Sequence, residues 1–422
     1  MSIAVGKGGL VAALDVGSSK VCCFVARQTA GGYPNIVGIG QQASKGVKNG
    51  TIVGLEEAEG AIRAAVHAAE QMAGETIDRV IVNLSGGYPV SSSIGVEVSI
   101  DGHEVGETDL RHIFERGRQA DILKSQSDSG RQMIHSIPTG YSIDGNRGIR
   151  NPLGMYGDSL GVSLHIITAA SGAVRNLASS VQRCHLDPVR FVVSPYASGL
   201  SCLVEDEKEL GVTVIDMGGG TTTIAVFYEG NPIYTDLIPV GGNHVTSDVA
   251  RGLSTSLTHA ERIKTLYGHA MTHPGDARDM IDVPRVGETE DDPGQQIPRS
   301  LLIGIIQPRL EETFELVRSR LETSGFDKIS GRRVVLTGGA CQMPGLGDLA
   351  ALVLDKQVRI GRPTRVTGLA EATAGPAYST CCGLLHYALG PEESTLTEIE
   401  ASRKEEAGGL IGRLESWFRE HF

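Results

Sequence analysis

Two short turns in this sequence carry the same order of residues, an aspartate, then a glycine two positions later, then hydroxyl side chains. The first runs from Asp15 to Lys20 (DVGSSK) and the second from Asp216 to Thr222 (DMGGGTT), and each follows an apolar strand-like segment. Glycine lets the backbone approach a ligand closely, and the free N–H groups of such a turn can bind phosphate oxygens. A lone turn would be read as an ordinary β-hairpin. Two copies predict a polyphosphate held from both sides.

The side chains of these turns would supply the remaining groups for a metal–phosphate complex. Asp15 and Asp216 could hold a hydrated Mg²⁺, because this cation keeps most of its waters and binds few carboxylates. Lys20 would add positive charge, or else is a solvated residue at a strand start. The predicted phosphate-binding residues are Asp15, Gly17, Ser18, Ser19, Lys20, Asp216, Gly218, Gly219, Gly220, Thr221 and Thr222.

A third glycine cluster follows another apolar strand, in the segment Leu336 to Cys341 (LTGGAC). Its Gly338, Gly339 and Ala340 would let the backbone lie against a flat base or a ribose, although a strand-to-helix turn without a ligand remains open. Glu261 and Lys264 are three residues apart and share one helix face, so a surface ion pair is their first interpretation.

No other constellation predicts catalysis or metal chemistry, and no catalytic residue is singled out. His269 and His273 have HxxxH spacing, but neither a glutamate nor a third ligand completes a zinc site.

The elements that position the three turns form a series that occurs twice. Three strand-like segments, a helix over Leu55 to Ala73, a fourth strand over Arg79 to Leu84 and a later αβ pair predict a βββαβαβ half, and the series restarts at Gly211. Residues 85–164 interrupt the first half. Residues 271–299, rich in Asp, Glu, Pro and Gly, predict an exposed, partly mobile loop in the second.

Composition limits the possible partners. The 422 residues include 55 glycines and carry a formal charge of −12, which opposes binding to nucleic acid or to an anionic membrane through overall charge. Seven cysteines without a CxxC motif predict reduced thiols in a cytosolic compartment. The sequence contains no run of about 18 apolar residues, so we expect no membrane-spanning helix. The N-terminal apolar run is too short for a signal peptide.

The C-terminal residues have a separate pattern. Residues 391–408 are polar and acidic and predict a disordered linker, whereas residues 409–422 predict an amphipathic helix that targets a membrane. A helix packed on the protein's own body or on a partner is the alternative. The predicted apolar face consists of Leu410, Ile411, Leu414, Trp417 and Phe418, and Trp417 is the one tryptophan of the chain.

The segments LDVGSSK, VIDMGGGTTTIAV, VVLTGGA and GPAYSTCCGLL resemble the two phosphate loops, the adenosine loop and the second connecting helix of the actin, Hsp70 and sugar-kinase superfamily. This resemblance implies an α/β actin-like fold, in which two duplicated ribonuclease-H-like βββαβαβ domains surround an ATP cleft. Each domain would contain an inserted subdomain.

Within that superfamily the chain resembles the FtsA family of bacterial cell-division proteins over essentially its whole length. The particular similarities are HEVGETDL, IHSIPTGYSIDG, PVGGNHVTSDVA, THAERIKTLYG and the C-terminal helix. The resemblance implies a protein that binds ATP and Mg²⁺, forms filaments on the cytoplasmic face of the cell membrane at the division septum, anchors FtsZ there and recruits later division proteins. It places Glu261 and Lys264 near the adenosine. Arg299 is our candidate contact for the acidic FtsZ C-terminal peptide, with a solvated surface arginine as the alternative.

The same resemblance implies a division of the chain into subdomains. The predicted ranges are 1–84 and 165–197 for subdomain 1A, 85–164 for 1C, 198–239 and 326–390 for 2A, 240–325 for 2B, 391–408 for the linker and 409–422 for the membrane-targeting helix.

One segment departs from the family pattern. The first connecting helix is usually introduced by an acidic residue before a proline, and here Ser194 precedes Pro195. If that acid helps to position the attacking water, its absence predicts ATP binding with at most slow hydrolysis. The alternatives are a sugar kinase, which would need an aspartate base that we do not find, an Hsp70-like chaperone, for which too few residues follow Gly390, and a PilM-like pilus assembly ATPase.

Overall fold

A computed structural model of the chain describes residues 9–29, 31–125, 130–287 and 294–390. The strands of this part, in chain order, are β1 (Leu10–Val16), β2 (Lys20–Gln28), β3 (Pro34–Ala43), β4 (Val47–Lys48), β5 (Thr51–Ile52), β6 (Arg79–Leu84), β7 (Val90–Ser99), β8 (Arg131–Ile143), β9 (Asn146–Ile149), β10 (Ser159–Ala170), β11 (Asp187–Val193), β12 (Val212–Met217), β13 (Thr222–Tyr228), β14 (Asn231–Ile238), β15 (Met280–Val283), β16 (Gln295–Pro298), β17 (Arg333–Thr337) and β18 (Gln357–Ile360).

Helices separate these strands and cover the sheets. Their bounds are α1 (Leu55–Ala73), α2 (Glu107–Ser125), α3 (Ser171–Gln182), α4 (Ser194–Cys202), α5 (Glu205–Leu210), α6 (Gly242–Gly252), α7 (Leu257–Tyr267), α8 (Arg299–Ser324), α9 (Leu346–Leu354) and α10 (Ser379–Leu389).

Two five-stranded sheets have the same topology. In the first, the order is β11-β6-β1-β2-β3, and in the second it is β18-β17-β12-β13-β14. In both, an antiparallel meander of three strands is extended by two parallel strands. The duplicated α/β fold predicted from the repeated turns is therefore confirmed.

The first sheet is buried because apolar residues cover both of its faces. Every residue of β1 is buried. Helix α1 has the predicted bounds, places Ala58, Ile62 and Ala65 against the core, and ends where Gly74 adopts a left-handed conformation at φ 72°. The period of apolar residues was sufficient to predict this helix.

Helices α4 and α10 pack directly against each other in the core of the first half. A Cβ atom added to Gly383 of α10 would overlap the carbonyl oxygen of Ala197 in α4, so the two backbones touch. Tyr196 of α4 and Tyr387 of α10 meet edge to face, with ring centroids 6.0 Å apart. Strand β12 of the second sheet contributes buried residues to the same core. These two helices therefore join the halves.

The segment between β6 and α3 forms a separate antiparallel sheet of order β7-β10-β8-β9, with its own small core. Strand β10 pairs with both β7 and β8 along its length, Ser159–Ala170.

The prediction of a loop over residues 271–299 is wrong for part of that range. Strands β15 and β16 pair antiparallel, and their Ile281, Val283 and Ile297 are at most 4% exposed. Alternating apolar residues therefore form a buried hairpin despite the polar composition. Residues 288–293 lie outside the described part, as do the predicted linker and terminal helix.

None of the helices among the described residues combines the length and the apolar character that a bilayer span requires.

Candidate functional site

The two aspartate–glycine turns face each other across a cleft between the halves. In each turn the glycine N–H donates to the carbonyl three residues on, from Gly17 to Lys20 at 3.0 Å and from Gly218 to Thr221 at 2.8 Å. A Cβ atom on Gly219 would overlap Ser19 Oγ. The turns therefore share one hydrogen-bond pattern, and the backbone of Gly219 lies against the Ser19 side chain, which would have to move if residue 219 had a side chain.

The predicted site residues are brought together around one cavity of about 270 Å³. Those that line it are Asp15, Gly17, Ser18, Ser19, Lys20, Asp216, Gly218, Gly219, Gly220, Thr221, Glu261, Lys264, Gly338, Gly339 and Ala340. Three glycine clusters, distant in sequence, thus surround a single space.

Thr222 is the predicted phosphate residue that lies outside this lining. Its side chain is fully buried, and its Oγ1 donates to the carbonyl of Val240 at 2.8 Å. Side chains of a strand alternate between two faces, so Thr223, the next residue of β13, lines the cleft instead. The predicted phosphate contact from Thr222 is corrected accordingly.

Asp15 and Asp216 are both buried in the cleft, at 8% and 7% exposure. Burial raises the pKa of Asp15 to about 7, because desolvation disfavours the carboxylate, while Lys20 lowers it and Asp216 raises it further. Burial also raises the pKa of Asp216. Two desolvated carboxylates beside phosphate-type turns are suited to a divalent cation, which would restore favourable interactions to both charges.

Helices α4 and α10, which join the halves, both donate hydrogen bonds to the Asp216 carboxylate. Ser198 Oγ of α4 donates to its Oδ2 at 2.5 Å, and Thr380 Oγ1 of α10 donates to the same oxygen at 2.9 Å. Both hydrogen bonds favour the charged form and lower the pKa that burial raises. The orientation of this carboxylate therefore depends on both α4 and α10.

Lys264 and Glu261 line the far end of the cleft as an ion pair, with Nζ 2.6 Å from Oε2. The Lys264 side chain is 12% exposed, and its Nζ also donates to Thr246 Oγ1 at 2.9 Å. The pair is thus part of the cleft wall rather than an isolated surface pair. Gly338, at φ 88°, begins the opposite wall and donates its N–H to the carbonyl of Pro376 at 3.2 Å.

Ser194 lines the cleft where an acidic residue was expected from the family pattern. Its Oγ accepts a hydrogen bond from Asn83 Nδ2 at 3.2 Å, and Asn83 Oδ1 accepts one from the Val16 N–H at 2.7 Å. These neutral side chains join the end of β6 to the first turn without adding a charge.

Several lining residues were missed from sequence. They are Asn83, Ser85, Thr223, Gly242, Asn243, Ala377 and Thr380. Asn83 is a polar residue inside the apolar segment RVIVNL, and Thr380 and Ser198 lie in helices that are unusually rich in small polar residues. A polar group in an otherwise apolar element was the available signal, since buried polar groups need partners.

Arg299 lies outside the cleft lining and already has partners. Its Nε donates to the carbonyl of Tyr267 at 2.8 Å, and its Nη1 is 3.2 Å from Oδ1 of the buried Asp276. The predicted contact with a partner peptide would involve an arginine that is 26% exposed and fixes the start of α8. The membrane residues Leu410, Ile411, Leu414, Trp417 and Phe418 lie outside the described residues.

Elsewhere, the rings of His269 and His273 meet at 4.7 Å, and His269 Nδ1 bonds to the carbonyl of Met271 at 2.7 Å. Within residues 9–29, 31–125, 130–287 and 294–390, no three His, Cys, Asp or Glu residues cluster as a metal site.

Comparison with known proteins identifies similar chains. A family model described as cell division protein FtsA matches residues 213–383, and one described as the SHS2 domain inserted in FtsA matches residues 86–168. The cell division protein FtsA of Agrobacterium fabrum is 46% identical over 429 residues, which covers 98% of this chain and 95% of that protein.

Solved structures with little sequence identity share the actin-like fold. The PilM–PilN type IV pilus biogenesis complex contains a chain with a TM-score of 0.66 at 16% identity, covering 90% of this chain and 98% of that one. MreB 5 of Spiroplasma citri, bound to AMPPNP, has a TM-score of 0.53 at 12% identity and covers 94% and 99%. At these identities the likeness concerns the fold alone.

Proposed function

Because the chain belongs to the FtsA family of cell division proteins, we propose that it is an ATP-binding, actin-like protein that assembles into filaments on the cytoplasmic membrane and anchors FtsZ at the division site. The observation that carries nucleotide binding is the pair of aspartate–glycine turns in contact across one cleft. The sugar-kinase and PilM-like alternatives have only the shared fold in their support.

In this proposal the phosphates of ATP lie between the two turns. Backbone N–H groups and the hydroxyls of Ser18, Ser19 and Thr221 would donate to them, and Lys20 would add charge. Asp15 and Asp216 would hold Mg²⁺ through its waters, and the cation would neutralise phosphate charge. The adenosine would lie between the Glu261–Lys264 pair and the turn of Gly338, Gly339 and Ala340.

Slow hydrolysis follows from the chemistry around Ser194. The described lining beside the first turn offers Asn83 and Ser194, which can orient a water but are weak bases. We therefore propose tight nucleotide binding and slow turnover. A steady-state rate typical of a metabolic kinase would contradict this part of the proposal.

Membrane attachment is proposed from residues 409–422 by sequence. Burial of five large apolar side chains contributes roughly 8 to 15 kcal/mol before ordering of the helix is subtracted. A short helix is marginal in water, so a single tail would bind reversibly. Several tails on one filament would bind far better through effective concentration, which couples assembly to attachment.

Partner binding is proposed for the two inserted regions. Residues 240–325 would form subdomain 2B and bind the acidic C-terminal peptide of FtsZ, whereas residues 85–164 would form subdomain 1C and meet other division proteins. Arg299 remains our candidate contact for this peptide. It would have to bind the peptide while it keeps, or partly gives up, its ion pair with Asp276. We propose no nucleic-acid partner, because the formal charge is −12.

Two measurements test this function. Calorimetry with Mg-ATP should give saturable binding by the full chain and a large loss with Asp216→Asn, and an unchanged affinity in that variant would contradict the cleft assignment. The emission of Trp417 should shift to the blue with anionic liposomes, and more so with ATP. A chain truncated after Gly408 should not bind the liposomes, and no shift in the full chain would remove the membrane proposal.

A further inference from the structure

The ammonium group of Lys20 has an unusual environment within the cleft. Its Nζ atom is buried and has no hydrogen-bond partner among the described residues. It lies over the ring of Tyr378, 3.3 Å from the centroid. Burying a cation without a hydrogen-bond acceptor costs free energy. The negative face of an aromatic ring attracts the cation and leaves its N–H groups available for hydrogen bonds to a ligand.

Tyr378 is held in place from the first sheet. Its ring stacks on Phe24 of β2 at 5.8 Å, with an interplanar angle of 15°, and its hydroxyl donates to Gln41 Oε1 of β3 at 2.6 Å. Lys20 and Phe24 are on the same face of β2, since side chains alternate along a strand. The ring is therefore fixed over this face by a stack on one side and by a hydrogen bond at its edge.

The ring is also connected to the wall opposite Glu261. Tyr378 ends the short 3₁₀ turn Pro376–Tyr378, which precedes α10. The Pro376 carbonyl accepts hydrogen bonds from the Gly338 N–H and from Thr337 Oγ1, at 3.2 and 3.3 Å. The position of the ring is thus tied both to the glycine turn at the cleft and to the start of a joining helix.

Asp15 is the competing partner for Lys20. The two side chains line the same cleft, and Lys20 lowers the pKa of Asp15, so they interact through space. Among the described residues, however, no carboxylate oxygen is within 4.0 Å of the Lys20 ammonium group. A direct ion pair would neutralise the charge that an incoming phosphate needs.

We propose that Tyr378 is the positioning residue for Lys20: its ring holds the ammonium group at the cleft wall, dehydrated but not neutralised, with its N–H groups free for the phosphates of a nucleotide. This inference rests on the proposed nucleotide site. Without the ring, Lys20 can turn towards Asp15 or towards solvent, and the phosphates must then reorder it. Tyr378 itself is not expected to touch the phosphates.

A double-mutant cycle on Mg-ATP binding tests the inference. Tyr378→Leu should weaken binding about three- to thirtyfold, the range for a cation–π contact between exposed and desolvated settings. Tyr378→Phe keeps the ring, loses only the bond to Gln41, and should bind within about twofold of the unsubstituted chain by the same reasoning. In a Lys20→Met background, Tyr378→Leu should have little further effect.

The inference is overturned if Tyr378→Leu weakens binding equally with and without Lys20→Met, since the residue would then act through the turn alone. It is also overturned if Tyr378→Phe is as weak as Tyr378→Leu. Thermal unfolding without nucleotide supplies an independent reading, because Lys20→Met should stabilise the chain more in the Tyr378→Leu background, where the buried charge has lost its ring.

Equal stabilisation in both backgrounds would show that the ring and the ammonium group do not interact. If the unsubstituted chain bound no Mg-ATP, the proposed function would fail instead, and the unfolding cycle would still decide the pairing of Lys20 with Tyr378.

Discussion

The Nδ1 atom of His165 donates a hydrogen bond to the carbonyl oxygen of Pro232 at 2.7 Å, which joins the inserted sheet to the second half of the protein. His165 is 1% exposed, and its other ring nitrogen bonds to the Ser91 hydroxyl. Ser91 Oγ in turn accepts from the Thr235 N–H at 3.3 Å. Strand β10 is thereby linked to β14 through a fully bonded imidazole.

We expect His165→Gln to destabilise the protein by roughly 2 kcal/mol, because a lost hydrogen bond leaves buried polar partners unsatisfied. Urea unfolding measures this loss, and hydrogen exchange should locate the loosening at β14. His112→Gln is the matched control on the exposed face of α2. Equal losses in the two variants would contradict a specific role for the contact.

Two buried histidines, His135 and His165, and the partly buried His386 predict a loss of stability in mild acid. Burial lowers the pKa of His135 to about 3 and the pKa values of His165 and His386 to about 4, below the ordinary value of 6.5. Unfolding lets them take up protons, so their contribution is present above pH 6.5 and is lost as the pH falls through 4. Urea midpoints measured from pH 7.5 to 4 should fall, and His165→Gln should flatten the slope.

Asp15 predicts the opposite dependence, because its pKa is raised to about 7 from an ordinary 3.8. Its contribution is present below pH 3.8 and is lost as the pH rises through 7. Asp15→Asn should therefore raise the melting temperature of the nucleotide-free protein at pH 8, with little change at pH 4, while it abolishes Mg-ATP binding. A lower melting temperature at pH 8 would mean that the carboxylate stabilises the free cleft.

The two hydrogen bonds to Asp216 predict a pH-dependent effect on binding. Ser198→Ala with Thr380→Val removes both donors, so the pKa of Asp216 should rise further and Mg-ATP should bind about tenfold more weakly at neutral pH. Affinity should recover as the pH increases. Ser201→Ala is the control, because Ser201 bonds to the carbonyls of Ser198 and Ser379 and not to Asp216. A loss that is independent of pH would point to general distortion.

Prediction from sequence was accurate where a pattern is local. The bounds of α1 and β6 were predicted to the residue, because one is a 3.6-residue period closed by a turn residue and the other is an apolar run. It failed at β15 and β16, whose four-residue strands carry too few alternating positions to outweigh a composition typical of loops. It also placed the Thr222 side chain on the cleft face of β13, because the sequence does not show which of the alternating side chains of that strand point towards the cleft.

The sequence by itself determined that the protein has two similar halves, that each has an aspartate–glycine turn at a strand end, and that a third glycine cluster accompanies them. Turn chemistry and periodicity act within a few residues, so they can be read without a structure. Only the tertiary structure decided that Lys20 lies over Tyr378 and that Asp216 is held by Thr380, 164 residues away. Those contacts depend on how two sheets and two touching helices pack, and no local preference encodes that packing.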